Sequence, residues 1–316
     1  QALAETGDAD AAADAGARAD AAEADQVARV GASLLFHGDG LRAHACFDRA
    51  LELHEACVSA HWLLGELFSR RGEIDRALHH YRRCLEIDPD ANGPAYMIAA
   101  LGGASAPDRA PDAYVAAFFD WYADHFDAHL TERLAYTGPR QVAEALATAR
   151  PDGFGRVLDL GCGTGLAGEA VKPHSDYLVG VDLSPAMLEK ARATGAYDEL
   201  VEGELLDVLG SRADAEFDAV IAVDVLVYVG ALDRLLAQVR RTLGADGVFI
   251  ATFEDADADA AWELSASGRY RHASRYLRET GLAAGFAAVE VTPTTLREEY
   301  GEPVASLIAV FDARPA

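Results

Sequence analysis

Residues 156–166 read R-V-L-D-L-G-C-G-T-G-L, and the fold follows from how that run is read. Val157, Leu158 and Leu160 form a short apolar run containing a β-branched residue, the pattern of a buried parallel strand. Gly161, Gly163 and Gly165 follow at alternate positions. Glycine reaches backbone angles closed to other residues and puts no Cβ between chain and ligand. Such a turn can press its amides and carbonyls against a small molecule. Thr164 and residues 166–171 then read as the opening of a helix. A dinucleotide fingerprint needs its third glycine at position 166, where Leu166 stands, so the pattern disfavours a pyrophosphate.

Further along, residues 178–192 read L-V-G-V-D-L-S-P-A-M-L-E-K-A-R: a second strand ending in Asp182, an N-cap at Ser184, proline at the first helical position and Met187 in the first turn. A strand ending in an acid two residues before G-x-G-x-G, followed by this segment, resembles class I S-adenosylmethionine-dependent methyltransferases. The resemblance implies an α/β Rossmann-like domain with a seven-stranded sheet and S-adenosylmethionine as cofactor. It places the cofactor on Asp159, Gly161, Gly163 and Gly165 in the first turn, and on Asp182, Leu183 and Met187 after the second strand. In that family the acid at the end of the second strand takes both ribose hydroxyls, and a carboxylate has the lone pairs to do so. A third strand is expected near 199–202. The family's adenine contacts after it map best onto Glu204 and Leu205, with Asp207 as rival.

Residues 217–223 (F-D-A-V-I-A-V) read as a buried fourth strand ending at Asp224, and residues 247–253 as a fifth ending at Glu254. Ligands of open α/β sheets bind beyond the carboxyl ends of the strands near the switch point. Asp224 and Tyr228 are therefore expected beside the transferable methyl as catalytic residues. Arg269, Tyr270, His272 and Arg275 lead into a helix ending near Gly281. His272 is the expected general base, its ordinary pKa being near neutrality. Arg269 can hold a carboxylate in bidentate fashion, with Glu254 and Tyr270 beside it as substrate contacts. These residues make a constellation only if the fold gathers them. Residues 286–292 and 304–311 read as two last strands, which the resemblance makes the antiparallel pair closing the sheet.

The N-terminal third is organised differently. Residues 1–23 are an Ala- and acid-rich tail that cannot build a core and is expected to be disordered. From 24 to 103 the chain repeats at an offset of 34 residues: Gly31, Leu34, Gly38, Ala43, Phe47 and Ala50 correspond to Gly65, Phe68, Gly72, Ala77, Tyr81 and Cys84. This resembles tetratricopeptide (TPR) repeats, an all-α arrangement here of two repeats and a capping helix. Residues 104–150 read as linker and lid, with one long aromatic helix from Asp112 to Leu130. The segment F-D-W-Y-A-D-H-F-D-A-H-L resembles the lid helix of small-molecule methyltransferases, and Tyr122, Phe126 and His129 are its substrate-facing candidates. Residues 151–316 complete the methyltransferase-like domain. The runs A-V-D-V-L-V-Y-V-G-A-L and S-G-R-Y-R-H-A-S-R-Y resemble bacterial proteins that join the two domain types.

Composition narrows the function. The formal net charge is −25, with 52 acids against 27 bases, which repels polyphosphates and disfavours nucleic acid as partner. No C-x-x-C pair or G-x-S-x-G turn occurs, so an acyl-enzyme is not supported and no metal is expected. No run of about 18 apolar residues or signal-peptide pattern is visible, so a cytoplasmic protein without membrane contact is expected. Three readings remain open: methylation of a small-molecule acceptor in a biosynthetic pathway, methylation of a protein recruited by the TPR unit, and a non-enzymatic scaffold. A homodimer or a protein partner is expected to use the TPR unit.

Overall fold

A computed structural model describes residues 2–128, 130, 134–256, 260–299 and 301–314, with side chains from residue 15 onward except that of 128. The chain forms two compact units, residues 1–106 with 266–268 and residues 107–265 with 269–316.

The first unit is helical: α1 (Ala2–Phe36), α2 (Gly40–Leu53), α3 (Val58–Arg70), α4 (Ile74–Ile87) and α5 (Asn92–Ala100). The repeat is built as helix pairs because glycine lets two helices close on an aromatic ring. A Cβ on Gly31 would lie 2.4 Å from the Phe47 ring, and one on Gly65 would lie 2.5 Å from the Tyr81 ring. Both rings are fully buried. Ala24, Ala28 and Leu35 carry the buried stripe of α1 at helical spacing. The tail expected to be disordered is instead continuous with α1, and its residues 15–20 are exposed. Alanine is the best helix former, so this segment can be helical without contributing a core.

The second unit begins with α6 (Asp112–Tyr122), α7 (Phe126–Ala128) and α8 (Gly138–Ala149). The expected single lid helix is therefore broken at 123–125. The sheet follows: β1 (Phe154–Leu160), α9 (Leu166–Val171), β2 (Ser175–Asp182), α10 (Pro185–Thr194), β3 (Glu199–Glu202), α11 (Leu205–Ser211), β4 (Phe217–Ala222), α12 (Asp233–Thr242) and β5 (Leu243–Asp255). These five strands are parallel in the order β3-β2-β1-β4-β5. After the hairpin β6 (Trp262–Leu264) and β7 (Tyr270–His272) come α13 (Ser274–Ala283), β8 (Ala288–Glu299) and β9 (Glu302–Asp312). β9 runs antiparallel to β5, and β8 to β9, which completes the expected seven-strand path. The sequence reading missed the short hairpin, whose β7 extends the sheet beside Glu254 and Asp255.

The central strands read as nearly unbroken apolar runs because both faces are covered. Leu158, Leu160, Val220 and Phe249 enter one core, and Val157, Ala219, Ile221 and Ile250 the other. The chain winds outward from β1 in one direction and, after returning, from β4 in the other. The carboxyl ends of β1 and β4 thus border the crevice at the topological switch.

Candidate active site

The glycine turn leaves β1 at this crevice. Gly161 and Cys162 donate their amides to the Val181 carbonyl, which pins the turn against the end of β2. Gly163 has φ +54° and Gly165 φ +100°. Among the described residues, the position of a Cβ on Gly163 meets only the Phe126 ring, at 3.9 Å. Asp182 lies across the turn. One carboxylate oxygen accepts from Gly163 N at 2.8 Å and the other from Ser184 N at 2.9 Å, leaving a further lone pair on each. Burial raises its pKa against the pull of those amides. Ser184 caps α10 as expected, accepting from Met187 N at 3.1 Å, and Met187 itself is fully buried.

Asp159 is also fully buried. Its Oδ2 accepts from the Tyr197 hydroxyl at 2.7 Å, while Oδ1 has no partner among the described residues. Burial is the first cause that pushes its pKa up to about 7, and nearby Asp182 adds to it. A buried carboxylate oxygen without a donor is costly, and a ligand cation or N–H would relieve it.

The broken lid closes over this turn. Asp120 accepts from Ser184 Oγ at 2.6 Å, Asp124 pairs with Lys190 at 3.0 Å, and Asp127 accepts from Thr164 Oγ1 at 2.5 Å. The break at 123–125 gives Asp127 and Phe126 their approach to the glycine turn. Tyr122 is buried and packs on Phe118 and Phe126, and Phe119 meets Tyr228 edge to face. Burial raises the pKa of Tyr122, and pushes that of Tyr228 up to about 12. His129, the third lid candidate, lies outside the described residues.

Next to these rings the fold gathers an ion network. Arg297 of β8, 3% exposed, donates two bonds from one nitrogen to Asp224, at 2.7 and 2.9 Å. It also pairs with Glu254, and with Glu299 at 2.9 Å. Arg269 bonds Glu254 at 2.6 Å and Glu299 at 2.7 Å. Burial disfavours the charged forms of Arg269, Arg297 and Glu299, but the opposed charges win. Both guanidinium pKa values are raised, and Arg269 and Arg297 hold Glu299 below its ordinary value. Asp224 sits in the left-handed region, φ +58°, with its amide donated to Thr252 Oγ1 at 2.8 Å.

Three expected site residues stand elsewhere or are occupied. β7 is short, and its alternate residues face opposite ways. Tyr270 and His272 are fully buried, while Arg271 reaches toward Glu254 at 3.6 Å. The Tyr270 hydroxyl donates to the Pro107 carbonyl at 2.6 Å, so it is a packing residue and not a substrate contact. His272 Nε2 lies 3.1 Å from the Gly230 carbonyl, and the ring packs between Phe253 and Tyr276. Burial lowers its pKa to about 4. A fully buried and weakly basic imidazole cannot serve as the general base, and that assignment is withdrawn. Glu204 caps α11, accepting from Leu206 N and Asp207 N at 2.8 and 3.0 Å, and pairs with Arg109. With Leu205 and Arg109 it still lines a cavity of about 240 Å³, whereas Asp207 is exposed.

Residues 158–249 match a family model described as a methyltransferase domain, and residues 58–91 match one described as a tetratricopeptide repeat. The chain carries a methyltransferase domain joined to a TPR repeat. It is 38% identical over 112 residues to methyltransferase-like protein 27 of Homo sapiens, across 34% of this chain and 45% of that one. The chain thus spans less than half the length of that relative. It is 28% identical over 200 residues to a malonyl-(acyl-carrier protein) O-methyltransferase of Enterobacter lignolyticus, across 61% of this chain and 76% of the relative. The crystal structure of Burkholderia thailandensis 1,6-didemethyltoxoflavin-N1-methyltransferase shares the fold, with a TM-score of 0.52 at 19% identity over 67% of this chain and 94% of that one.

Within the methyltransferase domain, the sequence reading missed Arg297 and Glu299. It ended the penultimate strand at residue 292, whereas β8 continues to Glu299. The available signal was the continued β-branched and apolar run T-P-T-T-L before Arg297. Tyr136 was also missed. Half-buried, its phenol has a pKa raised by burial and is close enough to feel the charges of Asp224, Arg297 and Asp159.

Proposed function

We propose that this protein transfers a methyl group from S-adenosylmethionine to a small-molecule acceptor. The reading is carried by Asp182, clamped by the Gly163 and Ser184 amides at the open face of the glycine turn. The residues present fit this cofactor. Asp182 keeps acceptor capacity for the ribose hydroxyls, the unpartnered Asp159 Oδ1 suits its ammonium group, and the cavity beside Glu204 and Leu205 suits its adenine. When bound, S-adenosylmethionine supplies a sulfonium methyl for in-line displacement.

The chain's own task is alignment and water exclusion. Phe126 and Tyr122 cover the turn, and Asp120, Asp124 and Asp127 fasten the lid to the segments that hold the cofactor. Asp224, fixed by Arg297, lies at the end of β4 beside the reacting position. Its carboxylate takes the acceptor's proton, a role that His272 cannot fill. The competing reading, a protein acceptor recruited by the TPR unit, is disfavoured by the buried Tyr122 and by Phe126 lying over Gly163. The TPR unit itself is left to a protein contact, either a partner or a second copy.

Calorimetry of S-adenosylhomocysteine tests the cofactor claim. Asp182→Ala removes a charge-assisted acceptor and should weaken binding by about 1.5–3 kcal/mol, roughly 10- to 150-fold. Unchanged affinity would show that the ribose lies elsewhere. Incubating the protein with methyl-labelled cofactor and cell extract tests the acceptor: label in the small-molecule fraction is expected, and label confined to protein overturns that part.

A further inference from the structure

We propose that Arg109 is a positioning residue of the cofactor site, holding Glu204 so that its carboxylate selects the amino group of adenine; this rests on the S-adenosylmethionine reading above. Glu204, Leu205 and Arg109 together line the cavity of about 240 Å³. A carboxylate offers about four acceptor positions. Glu204 Oε2 takes the amides of Leu206 and Asp207 at 2.8 and 3.0 Å, and Oε1 takes Arg109 Nη1. Among the described residues this leaves one acceptor position, on Oε1, for a ligand N–H. The amino group of adenine can donate to it, whereas a 6-oxo purine would set one acceptor oxygen against another.

The two amides reach only Oε2, so by themselves they cap the helix and leave Oε1 free to turn. Arg109 removes that freedom, because it is itself tethered. Its Nη2 donates to Asp112 at 2.7 Å, and its backbone forms an antiparallel bridge with Val229. On either side of it, Ala110 N donates to the Tyr228 carbonyl at 2.9 Å, and the Asp108 carbonyl accepts from Gly230 N and Ala231 N at 2.8 and 3.0 Å. Tyr270 holds the Pro107 carbonyl in addition. Residues 107–110, which the sequence presents as plain linker, thus form a strap stitched to the segment after β4. Val229 and Ala231 of that segment line the same cavity.

The strap is poorly explained by stability alone. The Arg109 side chain is 38% exposed, and ion pairs at that exposure add little to the fold. What the tethering does accomplish is to preorganise a planar fork between Glu204 and Asp112 on the cavity wall. A fixed Glu204 recognises a donor by direction as well as by charge, and that is what distinguishes an amino from an oxo group on the same purine.

Calorimetry on the full chain with S-adenosylhomocysteine and its 6-oxo analogue, S-inosylhomocysteine, reads this preference. The parent should bind the adenine compound at least about tenfold more tightly. Arg109→Met should shrink that ratio at least about threefold, and Arg109→Lys, which keeps the charge but not the planar fork, should shrink it as well. Asp182→Ala, on the ribose side, should weaken both compounds alike and leave the ratio unchanged. A parent without the preference, a ratio unchanged in both Arg109 variants, or one that falls as far in Asp182→Ala overturns the proposal. Failure of S-adenosylhomocysteine to bind the parent is a separate result, which defeats the cofactor reading and this proposal with it. Circular dichroism of each variant before titration separates lost recognition from lost fold, and the lysine variant carries the test if the methionine variant does not fold.

Discussion

Replacing Asp159 by asparagine should change how stability depends on pH. Asp159 is fully buried, and burial, with Asp182 adding to it, outweighs the Tyr197 hydrogen bond and lifts its pKa to about 7. An unfolded aspartate titrates near 3.9, so the shift is about 3 units, on the order of 4 kcal/mol. The sign follows from proton binding. Between about pH 4 and 7 the folded state holds a proton that the unfolded state has lost, so stability falls as pH rises through that window, by at most about 1.4 kcal/mol per unit. Asparagine carries no such charge, and its carbonyl can still accept from Tyr197. The stability of Asp159→Asn relative to the parent should therefore rise from about pH 4 to pH 7 and then level off. Urea denaturation followed by circular dichroism across this range measures the difference directly. Parallel profiles for the two proteins would refute the argument. S-adenosylhomocysteine should narrow the gap above pH 7, because its ammonium group would offset the Asp159 charge.

Arg297→Met leaves Asp224, Glu254 and Glu299 with only Arg269, and partly Arg271, to compensate them, and should destabilise the fold by about 3–5 kcal/mol in urea titrations. A loss well under 1 kcal/mol would show that the network is solvated. Gly65→Ala drives a Cβ into the Tyr81 ring, 2.5 Å away, and should cost about 1–3 kcal/mol, read as a lowered melting temperature. His272→Phe, by contrast, should leave methyl transfer largely intact once an acceptor is found, because the imidazole is a packing group; a loss of several hundred-fold in a correctly folded variant would restore it as a base. Asp127→Ala frees Thr164 Oγ1 from the lid and should speed release of S-adenosylhomocysteine in stopped-flow experiments.

The glycine turn and the segment after β2 were legible because they are local. Gly161 to Gly165 and Asp182 to Met187 are contiguous segments whose residue types are dictated by backbone angles, a helix cap and a carboxylate at a strand end. The 34-residue repeat was legible for a similar reason, since Gly31 with Phe47 and Gly65 with Tyr81 recur at the same spacing. The charge network was only partly legible. Asp224 and Glu254 could be placed at strand ends, but whether they meet depends on Arg297, a residue 73 positions from Asp224 on a strand that joins through antiparallel pairing. Tyr270 and His272 show the converse. Their types suggested chemistry, yet the register of a three-residue strand turned both into the core and Arg271 the other way. The sequence by itself therefore determined the glycine turn, the parallel sheet and the acid that ends β2, because each is enforced within one strand–turn–helix unit. Only the tertiary structure decided the charge network, the break in the lid and the demotion of His272, because burial and ion pairing are set by segments distant in the chain.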